Sequence, residues 1–171
     1  MREIHVLFNQ KEMEQRIAEL AKQIEKDYEG KEITVLCVLK GASFFTIQLT
    51  QKIKNKMEIQ FIELSSYGNN TTSSGTITIK RDMEHSLKGK NVLIVEDIID
   101  TGRTMQFLLE RIKKENIESV KVATLLDKPE RRVVELTADY VGFTIPNKFV
   151  LGYGMDYEEY YRNLPYIGYI E

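Results

Sequence analysis

The chain has 171 residues, of which 42% are hydrophobic and 29% are charged, and its formal net charge is −2. This length fits one domain with a buried core of its own. The small net charge and the pI of about 5.8 argue against a general nucleic-acid or membrane-surface binder. Because Cys37 is the only cysteine, an internal disulfide and a cysteine-cluster metal site are both excluded.

No apolar run approaches the roughly 20 residues that a membrane-spanning helix needs. The N-terminal segment, MREIHVLFNQKEME, has no apolar stretch long enough for a signal peptide. We therefore expect a soluble protein of the cytoplasm.

The first half of the chain alternates between helical and extended patterns. Apolar residues recur at helical spacing over residues 10–28, and residues 33–39 form a continuous apolar run typical of a strand buried on both faces. Residues 42–53 are predicted to be helical, and residues 58–64 alternate as a half-buried strand does. The stretch SSYGNNTTSSG, residues 65–75, has no aliphatic side chain and predicts a loop or hairpin tip.

The second half of the chain continues the alternation. Its apolar patterns predict strands over residues 76–79 and 91–95, a helix over 102–114, and strands over 120–126 and 139–145. Together with the first half, these elements predict an α/β fold with a mainly parallel twisted sheet and helices on both faces. The strands on either side of the 65–75 loop would form an antiparallel excursion from that sheet.

Polar groups follow three of the predicted strands. In open α/β sheets, ligands bind beyond the carboxyl ends of the strands. The three strand ends with unusual chemistry are Lys40-Gly41, Glu96 to Thr104, and Asp127 to Arg132. Their convergence predicts a functional site at that edge of the sheet.

The stretch VLIVEDIIDTGRTM, residues 92–105, joins an apolar strand to three acids and a hydroxyl-rich turn. Thr101, Gly102 and Thr104 suit a phosphate, because a helix N-terminus offers N–H groups and glycine permits a close approach. The two adjacent acids would repel a phosphate, but they suit ribose hydroxyls and a magnesium ion. The stretch therefore predicts a sugar-phosphate site.

A simpler interpretation of this stretch is also available. Asp100 and Thr101 would only cap the helix, and the adjacent acids would be solvated at the end of the strand. A cap accounts for one acid rather than three. Two common nucleotide-binding loops are excluded, because the sequence has neither GxxxxGK[ST] nor a GxGxxG after a strand.

The same stretch resembles the diphosphoribosyl-binding signature of type I phosphoribosyltransferases: an apolar strand, two acids, two apolar residues, Asp, and Thr-Gly-x-Thr. The chain as a whole resembles the hypoxanthine-guanine phosphoribosyltransferases. The matching stretches are VLKGA at 38–42, SSYG at 65–68, LLDKPERR at 125–132, VGFTIPNKFVLGYGMDY at 141–157 and YRNLP at 161–165. Five ordered motifs are far more specific than the signature alone.

The resemblance implies a single domain over residues 1–171 with the type I phosphoribosyltransferase fold. It implies a flexible antiparallel hairpin and a small hood, formed by the N-terminal segment and residues from about 145 to 171. The implied activity belongs to purine salvage: ribose 5-phosphate passes from 5-phosphoribosyl 1-diphosphate to hypoxanthine or guanine, giving IMP or GMP and pyrophosphate. Mg²⁺ is the implied cofactor, and a homodimer or homotetramer is the implied assembly.

The resemblance also implies roles for the acids and the turn of the signature. Glu96 and Asp97 would hold the ribose hydroxyls directly or through Mg²⁺, and Asp156 would ligate a second Mg²⁺. Asp100 would be the general base that accepts the purine proton. The 5-phosphate would be bound by Thr101, Gly102, Arg103 and Thr104.

The leaving pyrophosphate has its own set of implied partners. Lys40 and Gly41 correspond to the family's pyrophosphate loop, in which the peptide bond before the lysine is often cis. Ser66 and Tyr67 would lie at the tip of a loop that closes over the pyrophosphate side, and Arg162 would contact the pyrophosphate. Independently of the family, a lysine at a strand end is common without any ligand.

The purine would be held by residues near the end of the chain. Lys128 would donate to the purine O6, Phe149 would stack on the ring, and the backbone around Val150 would read its edge. Taken alone, an aromatic residue such as Phe149 is more typical of a core. Arg132 is expected to support the Lys128 loop, and Arg131 is expected at the surface.

Two other functions fit parts of the sequence. One is a regulator that senses phosphoribosyl diphosphate and binds nucleic acid, and the other is a phosphoribosyltransferase for adenine, uracil or orotate. Retention of Asp100, Lys128, Phe149 and Asp156, without a basic surface signature, favours an enzyme. Lys128 together with the 141–157 stretch favours a 6-oxopurine.

Overall fold

Two β-sheets and three α-helices make up the part of the chain that the computed structural model describes, residues 2–67 and 76–171. The elements are, in chain order, β1 (His5–Phe8), α1 (Gln10–Asp27), β2 (Ile33–Leu39), α2 (Ser43–Thr50), β3 (Met57–Tyr67), β4 (Thr76–Arg81), β5 (Asn91–Ile99), α3 (Arg103–Lys113), β6 (Ser119–Asp127), β7 (Tyr140–Thr144), β8 (Val150–Leu151) and β9 (Ile167–Tyr169). A 3₁₀ turn at Pro129–Arg131 follows β6. None of the helices in these two ranges is long and apolar enough to cross a membrane.

The larger sheet has the strand order β4-β3-β2-β5-β6-β7. All neighbouring strands are parallel except the antiparallel pair β3 and β4. The predicted α/β fold, with its mainly parallel sheet and antiparallel excursion, is confirmed. Because β2 and β5 lie side by side at the centre, their carboxyl ends open on the same edge of the sheet.

Two apolar clusters cover opposite faces of the larger sheet. Successive residues of β5 alternate between them: Leu93 and Val95 pack in the cluster of α1 and α2, whereas Val92 and Ile94 pack in the cluster of α3. Since both faces of the central strands are covered, a strand in this position is apolar throughout rather than alternating. This explains the continuous apolar runs in the sequence.

Strand β5 runs further than the sequence predicts. The apolar run ends at Val95, but the ladder between β5 and β6 continues to Ile99, which lies opposite Asp127. Glu96 and Asp97 therefore lie inside the strand and not after it. Backbone pairing carries the strand past the end of its apolar pattern, because side-chain polarity does not interrupt the ladder.

Strand β3 also exceeds its prediction and takes in the start of the predicted loop. Ser66 pairs with Ile77 and Tyr67 with Thr76, so these two loop residues lie in the arm of the hairpin and not at its tip. The rest of the predicted loop, residues 68–75, lies outside the described residues.

A second, antiparallel sheet with the order β1-β9-β8 joins the N-terminal segment to the end of the chain. The sequence predicts none of these three strands, because runs of four, two and three residues are too short to show a period. The rings of Phe8 and Phe143 stack with centroids 4.0 Å apart, which fastens β1 to β7 of the larger sheet.

Candidate active site

A cavity of about 470 Å³ lies at the carboxyl ends of β2 and β5. This is the edge of the sheet at which a ligand is expected in a parallel α/β fold. The predicted site residues that line it are Lys40, Gly41, Ser66, Glu96, Asp97, Asp100, Thr101, Gly102, Thr104, Asp156 and Arg162. The fold thus brings together residues from segments that are far apart in the sequence.

Some of the predicted site residues do not line this cavity. They are Arg103, Lys128, Phe149 and Val150. The side chain of Tyr67 lies outside the described residues. Lys128 is nevertheless next to the cavity, because its backbone N–H donates to the carbonyl of Ile99, a lining residue, at 2.9 Å.

The adjacent acids Glu96 and Asp97 are held in an unfavourable environment for charge. Glu96 is only 7% exposed, and its burial, followed by repulsion from Asp97, raises its pKa well above the usual range. Burial also raises the pKa of Asp97, although the N–H of Ile98, 2.6 Å from Oδ1, favours its ionised form. This pair is suited to bind a cation or hydroxyl donors.

A tight approach between Gly41 and Asp97 joins the end of β2 to the acid pair. The Leu39–Lys40 peptide bond is cis, as the resemblance implies. A Cβ on Gly41 would lie 1.8 Å from Oδ2 of Asp97, and a Cβ on Gly154 would lie 2.2 Å from the Gly41 carbonyl oxygen. Glycine at position 41 lets the backbone lie directly against the carboxylate, and glycine at position 154 lets a second segment lie against the Gly41 carbonyl.

The N-terminus of α3 opens on the cavity without a side-chain cap. Gly102 precedes the helix with a φ of +87° and contributes no capping hydrogen bond. The helix α1, by contrast, begins with a complete capping box. N–H groups in the first turn of α3 are therefore suited to an anion.

The simpler interpretation of the signature as a helix cap is wrong. Among the described residues, Thr101 Oγ1 accepts only a long hydrogen bond, 3.4 Å, from the N–H of Arg103. Asp100 makes no cap; its Oδ1 lies 3.0 Å from Nε of Arg131.

The contact of Asp100 with Arg131 was not expected, because the sequence placed Arg131 at the surface. The two side chains are 41% and 48% exposed, so the guanidinium is partly solvated and reaches the acid from the 3₁₀ turn after β6. Exposed ion pairs contribute about 0–1 kcal/mol. A ligand can therefore replace Arg131 as the partner of Asp100 at little cost in free energy.

Arg132 connects the Asp100 turn to the loop after β6. Its Nη1 donates to the carbonyl oxygen of Asp100 at 2.7 Å, its Nε donates to that of Leu136 at 3.2 Å, and its Nη2 pairs with Asp127. The predicted support of the Lys128 loop by Arg132 agrees with these bonds. They also hold the backbone of Asp100 in place.

Lys128 is buried, with 7% of its surface exposed. Burial lowers its pKa, while Asp100 acts in the opposite direction. In the described part of the chain, no acidic side chain forms an ion pair with it. A buried lysine without an ion pair leaves its ammonium group available to an acceptor on a ligand.

Arg162 and Asp156 hold the far wall of the cavity. Arg162 Nη2 lies 3.3 Å from Asp156 Oδ1, and its Nη1 donates to the carbonyl of Gly154 at 2.7 Å.

Phe149 is 52% exposed, and its ring meets that of Tyr157 edge to face, with the ring centroids 5.6 Å apart. The core interpretation of Phe149 is therefore wrong.

The carboxylates that face the cavity fit a magnesium ion whose remaining ligands come from water and a substrate. No group of three or more His, Cys, Asp or Glu side chains within residues 2–67 and 76–171 forms a metal cluster. Glu96, Asp97 and Asp156 nevertheless face one cavity. Mg²⁺ typically uses one or two protein carboxylates and completes its shell with water and substrate phosphates. The carboxylates present match that mode of binding.

Sequence reasoning missed Glu159, whose carboxylate lies 3.3 Å from Lys40 Nζ. Glu159 follows Asp156 in an acidic turn and belongs to none of the sequence motifs, so only the folded chain reveals its contact with Lys40. Arg131 lies within the LLDKPERR stretch, but the sequence assigned it only a surface position, so its contact with Asp100 was missed.

Comparisons with known proteins agree with this geometry. Residues 4–158 match the model of the phosphoribosyl transferase domain. The chain is 51% identical over 163 residues to a hypoxanthine-guanine phosphoribosyltransferase of Streptococcus pneumoniae, an alignment that covers 95% of this chain and 91% of that protein. It is 50% identical over 95% of its length to the bifunctional protein TilS/HprT of Listeria monocytogenes, but spans only 25% of that longer protein.

A solved structure extends the likeness to three dimensions. The chain is similar to the crystal structure of a hypoxanthine-guanine phosphoribosyltransferase from Bacillus anthracis with a HEPES molecule in its active site. The superposition covers 100% of both chains, with a TM-score of 0.95 and 46% sequence identity. The family match begins before β1 and ends after Asp156, so it takes in every strand end that contributes to the cavity. The chain belongs to the phosphoribosyltransferase family.

Proposed function

We propose that this chain transfers the phosphoribosyl group of 5-phosphoribosyl 1-diphosphate to hypoxanthine or guanine, giving IMP or GMP and pyrophosphate, in purine salvage. One observation carries the proposal: an uncapped helix N-terminus, a buried acid pair and two basic side chains line one cavity. These groups complement a phosphate, a ribose diol and a diphosphate. The names of the Streptococcus pneumoniae and Bacillus anthracis relatives support the choice of base.

The 5-phosphate is assigned to the turn before α3. Backbone N–H groups at the start of the helix donate to the phosphate oxygens, and the helix dipole favours their negative charge. The positive φ of Gly102 supports this assignment, because it turns the chain into the helix without a side chain in the way. The residues assigned to the phosphate are Thr101, Gly102, Arg103 and Thr104.

The ribose is assigned to Glu96 and Asp97. Their carboxylates accept hydrogen bonds from the 2′ and 3′ hydroxyls or hold Mg²⁺, and Asp156 is the ligand proposed for a second Mg²⁺. When bound, magnesium would offset charge on the diphosphate and on the acid pair. The raised pKa values of both acids support this role, because a cation or a hydroxyl donor relieves the cost of their ionisation.

The leaving diphosphate is assigned to Lys40, Gly41, Ser66, Tyr67 and Arg162. As the bond from C1 to the diphosphate breaks, negative charge grows on the departing oxygens, and fixed cations stabilise it. Lys40 and Arg162 are the basic side chains that line the cavity within the described residues. The hairpin of β3 and β4 is proposed to close over this side and exclude water.

The purine is assigned to the region beside Asp100. As the purine nitrogen attacks C1, Asp100 accepts its proton, which requires the carboxylate to exchange Arg131 for the base. Lys128 donates to O6, Phe149 stacks on the ring, and backbone groups near Val150 bind its edge. The burial of Lys128 without an ion pair in the described chain supports this assignment.

An assay with several bases tests the proposed function. Purified protein is incubated with 5-phosphoribosyl 1-diphosphate, Mg²⁺ and, in turn, hypoxanthine, guanine, xanthine, adenine, uracil or orotate. We expect nucleotide from a 6-oxopurine. Product from adenine or a pyrimidine alone would reassign the base, and tight binding of the diphosphate without any product would indicate a regulator.

The variant Asp100→Asn tests the role of the base. General base catalysis typically contributes 10²- to 10⁴-fold, so we expect turnover to fall by about that factor. The affinity for 5-phosphoribosyl 1-diphosphate, measured by calorimetry, should change little. A variant with full turnover would remove Asp100 from this role.

We also propose that the β1-β9-β8 sheet forms a hood over the base.

The chain is further proposed to form a homodimer or homotetramer in the cytoplasm. Phe44 and Ile47 of α2 and Phe61 of β3 are large apolar side chains that are about 40% to 50% exposed, which supports self-association. Size-exclusion chromatography with light scattering measures the assembly, and a monomer at micromolar concentration would contradict it.

A further inference from the structure

The turn from Asp156 to Arg162 carries a carboxylate that contacts the two basic side chains found in the cavity lining of the described chain. Glu159 Oε2 lies 3.3 Å from Nζ of Lys40, and Glu159 Oε1 lies 3.5 Å from Nη2 of Arg162. One acidic side chain thus bridges two cations that come from segments more than 100 residues apart in the sequence.

The backbone of this turn fixes the position of Glu159. Its N–H donates to Oδ2 of Asp156 at 2.9 Å, and Tyr157 and Tyr160 exchange two backbone hydrogen bonds of 3.0 Å. Glu158, Glu159 and Tyr161 have positive φ values of 52°, 70° and 75°. Residues other than glycine rarely adopt this conformation, so the turn is shaped by its contacts rather than by local preference.

The two cations that Glu159 bridges are the ones assigned to the diphosphate. Lys40 and Arg162 line the cavity with the acid pair, whereas the side chain of Glu159 is 68% exposed and approaches them from outside the cavity lining. A diphosphate and the Glu159 carboxylate are both anions, and each needs the same N–H donors. They therefore compete for these two side chains.

We propose that Glu159 is an internal competitor of the diphosphate group. In the absence of substrate its carboxylate pairs with Lys40 and Arg162, and the diphosphate displaces it on binding. This inference rests on the proposed function, since it concerns the same site. The competition weakens the binding of diphosphate and so favours release of the product, a step that limits turnover in many enzymes.

The expected size of the effect follows from the exposure of the pairs. Each exposed ion pair is weak, and removal of both pairs should tighten diphosphate binding by about threefold to tenfold. The opposite sign is expected if Glu159 serves only to hold Lys40 and Arg162 in place for the ligand. In that case its loss would weaken binding.

The test is calorimetric titration of inorganic diphosphate with Mg²⁺ into the wild type, Glu159→Gln and the matched control Glu158→Gln. Glutamine keeps the shape of the side chain, and both variants remove one negative charge from neighbouring residues with positive φ. Glu158 forms no ion pair in the described part of the chain. A third variant, Glu159→Ser, checks that no hydrogen bond of the glutamine amide replaces the carboxylate.

We expect diphosphate to bind about threefold to tenfold more tightly to Glu159→Gln and Glu159→Ser, and within twofold of the wild type to Glu158→Gln. In steady-state assays, product inhibition by diphosphate should strengthen by the same factor while the KM for the purine stays constant. Equal or weaker binding in both Glu159 variants would overturn the inference while leaving the proposed function intact. A folded wild type that binds no diphosphate would overturn the proposed function and this inference with it.

Discussion

Replacement of Gly41 by alanine tests whether the position of Asp97 controls catalysis. The added Cβ would lie 1.8 Å from Oδ2 and 2.7 Å from Cγ of Asp97, far inside contact distance. These atoms are the end of a side chain that can rotate away, so we expect the free energy of unfolding to fall by only about 1–2 kcal/mol. A displaced carboxylate, however, would lose the hydrogen bonds that we propose it accepts from the ribose. Hydrogen bonds to charged groups contribute about 1.5–3 kcal/mol, so kcat/KM should fall about 10- to 150-fold.

The matched control for this variant is Gly89→Ala, in the turn before β5. Gly89 has a φ of +72°, and a Cβ added there would lie more than 4 Å from every described residue other than its chain neighbours. Alanine at this position therefore costs about 1 kcal/mol of backbone strain without touching the cavity. Denaturant unfolding and steady-state kinetics with varied 5-phosphoribosyl 1-diphosphate are measured on both variants. Similar losses of stability with loss of activity only in Gly41→Ala support the reasoning. Wild-type kcat/KM in Gly41→Ala would refute it.

Two further predictions use the pKa shifts at the site. The pKa of Glu96 is raised in the folded state, so the folded protein binds more protons than the unfolded one and its stability falls as the pH rises through this range. Glu96→Gln should therefore melt at a higher temperature than the wild type at neutral pH without metal, by about 2–4 °C for each kcal/mol of stability gained. This gain should vanish in acid. An equal or lower Tm at neutral pH would contradict the prediction. Lys128→Met should raise the purine KM by about tenfold or more through loss of a charged donor, with little change in the KM for 5-phosphoribosyl 1-diphosphate. Because burial lowers the pKa of Lys128, the wild-type purine KM should rise with pH before the ordinary lysine range is reached, and a Lys128→Met profile with the same rise would count against this assignment.

The larger sheet could be predicted from the sequence because its central strands are buried on both faces. Continuous apolar runs such as residues 33–39 correspond directly to a strand of the same bounds, β2. The glycine turn between β5 and α3 could also be predicted, because Gly102 follows the acids of the strand and precedes the apolar pattern of the helix. Its role as a phosphate site stays a prediction. Local sequence therefore sufficed where one segment determines its own structure.

Features that depend on distant segments could not be predicted. The strands β1, β8 and β9 form only because the two ends of the chain meet, and each is too short to show a pattern. The extension of β5 past Val95 depends on its pairing with β6. The contacts of Arg131 with Asp100 and of Glu159 with Lys40 could not be predicted either. Arg131 and Glu159 are exposed residues, and nothing in their local sequence specifies a partner in a distant segment.

The acids of the site differ in whether an ion pair balances their charge. This difference explains why part of the signature destabilises the free protein. Asp100 is paired with Arg131, and Asp156 with Arg162, through partly exposed contacts that a ligand can exchange. Glu96 and Asp97 have no ion pair among the described residues, and their burial leaves the raised pKa values unrelieved. A protein selected only for stability would replace such acids, because a buried charge without a partner is destabilising. Their presence beside the turn that we propose for the phosphate follows if the substrate supplies the missing partner. The acids that destabilise the free protein would then become binding groups in the complex.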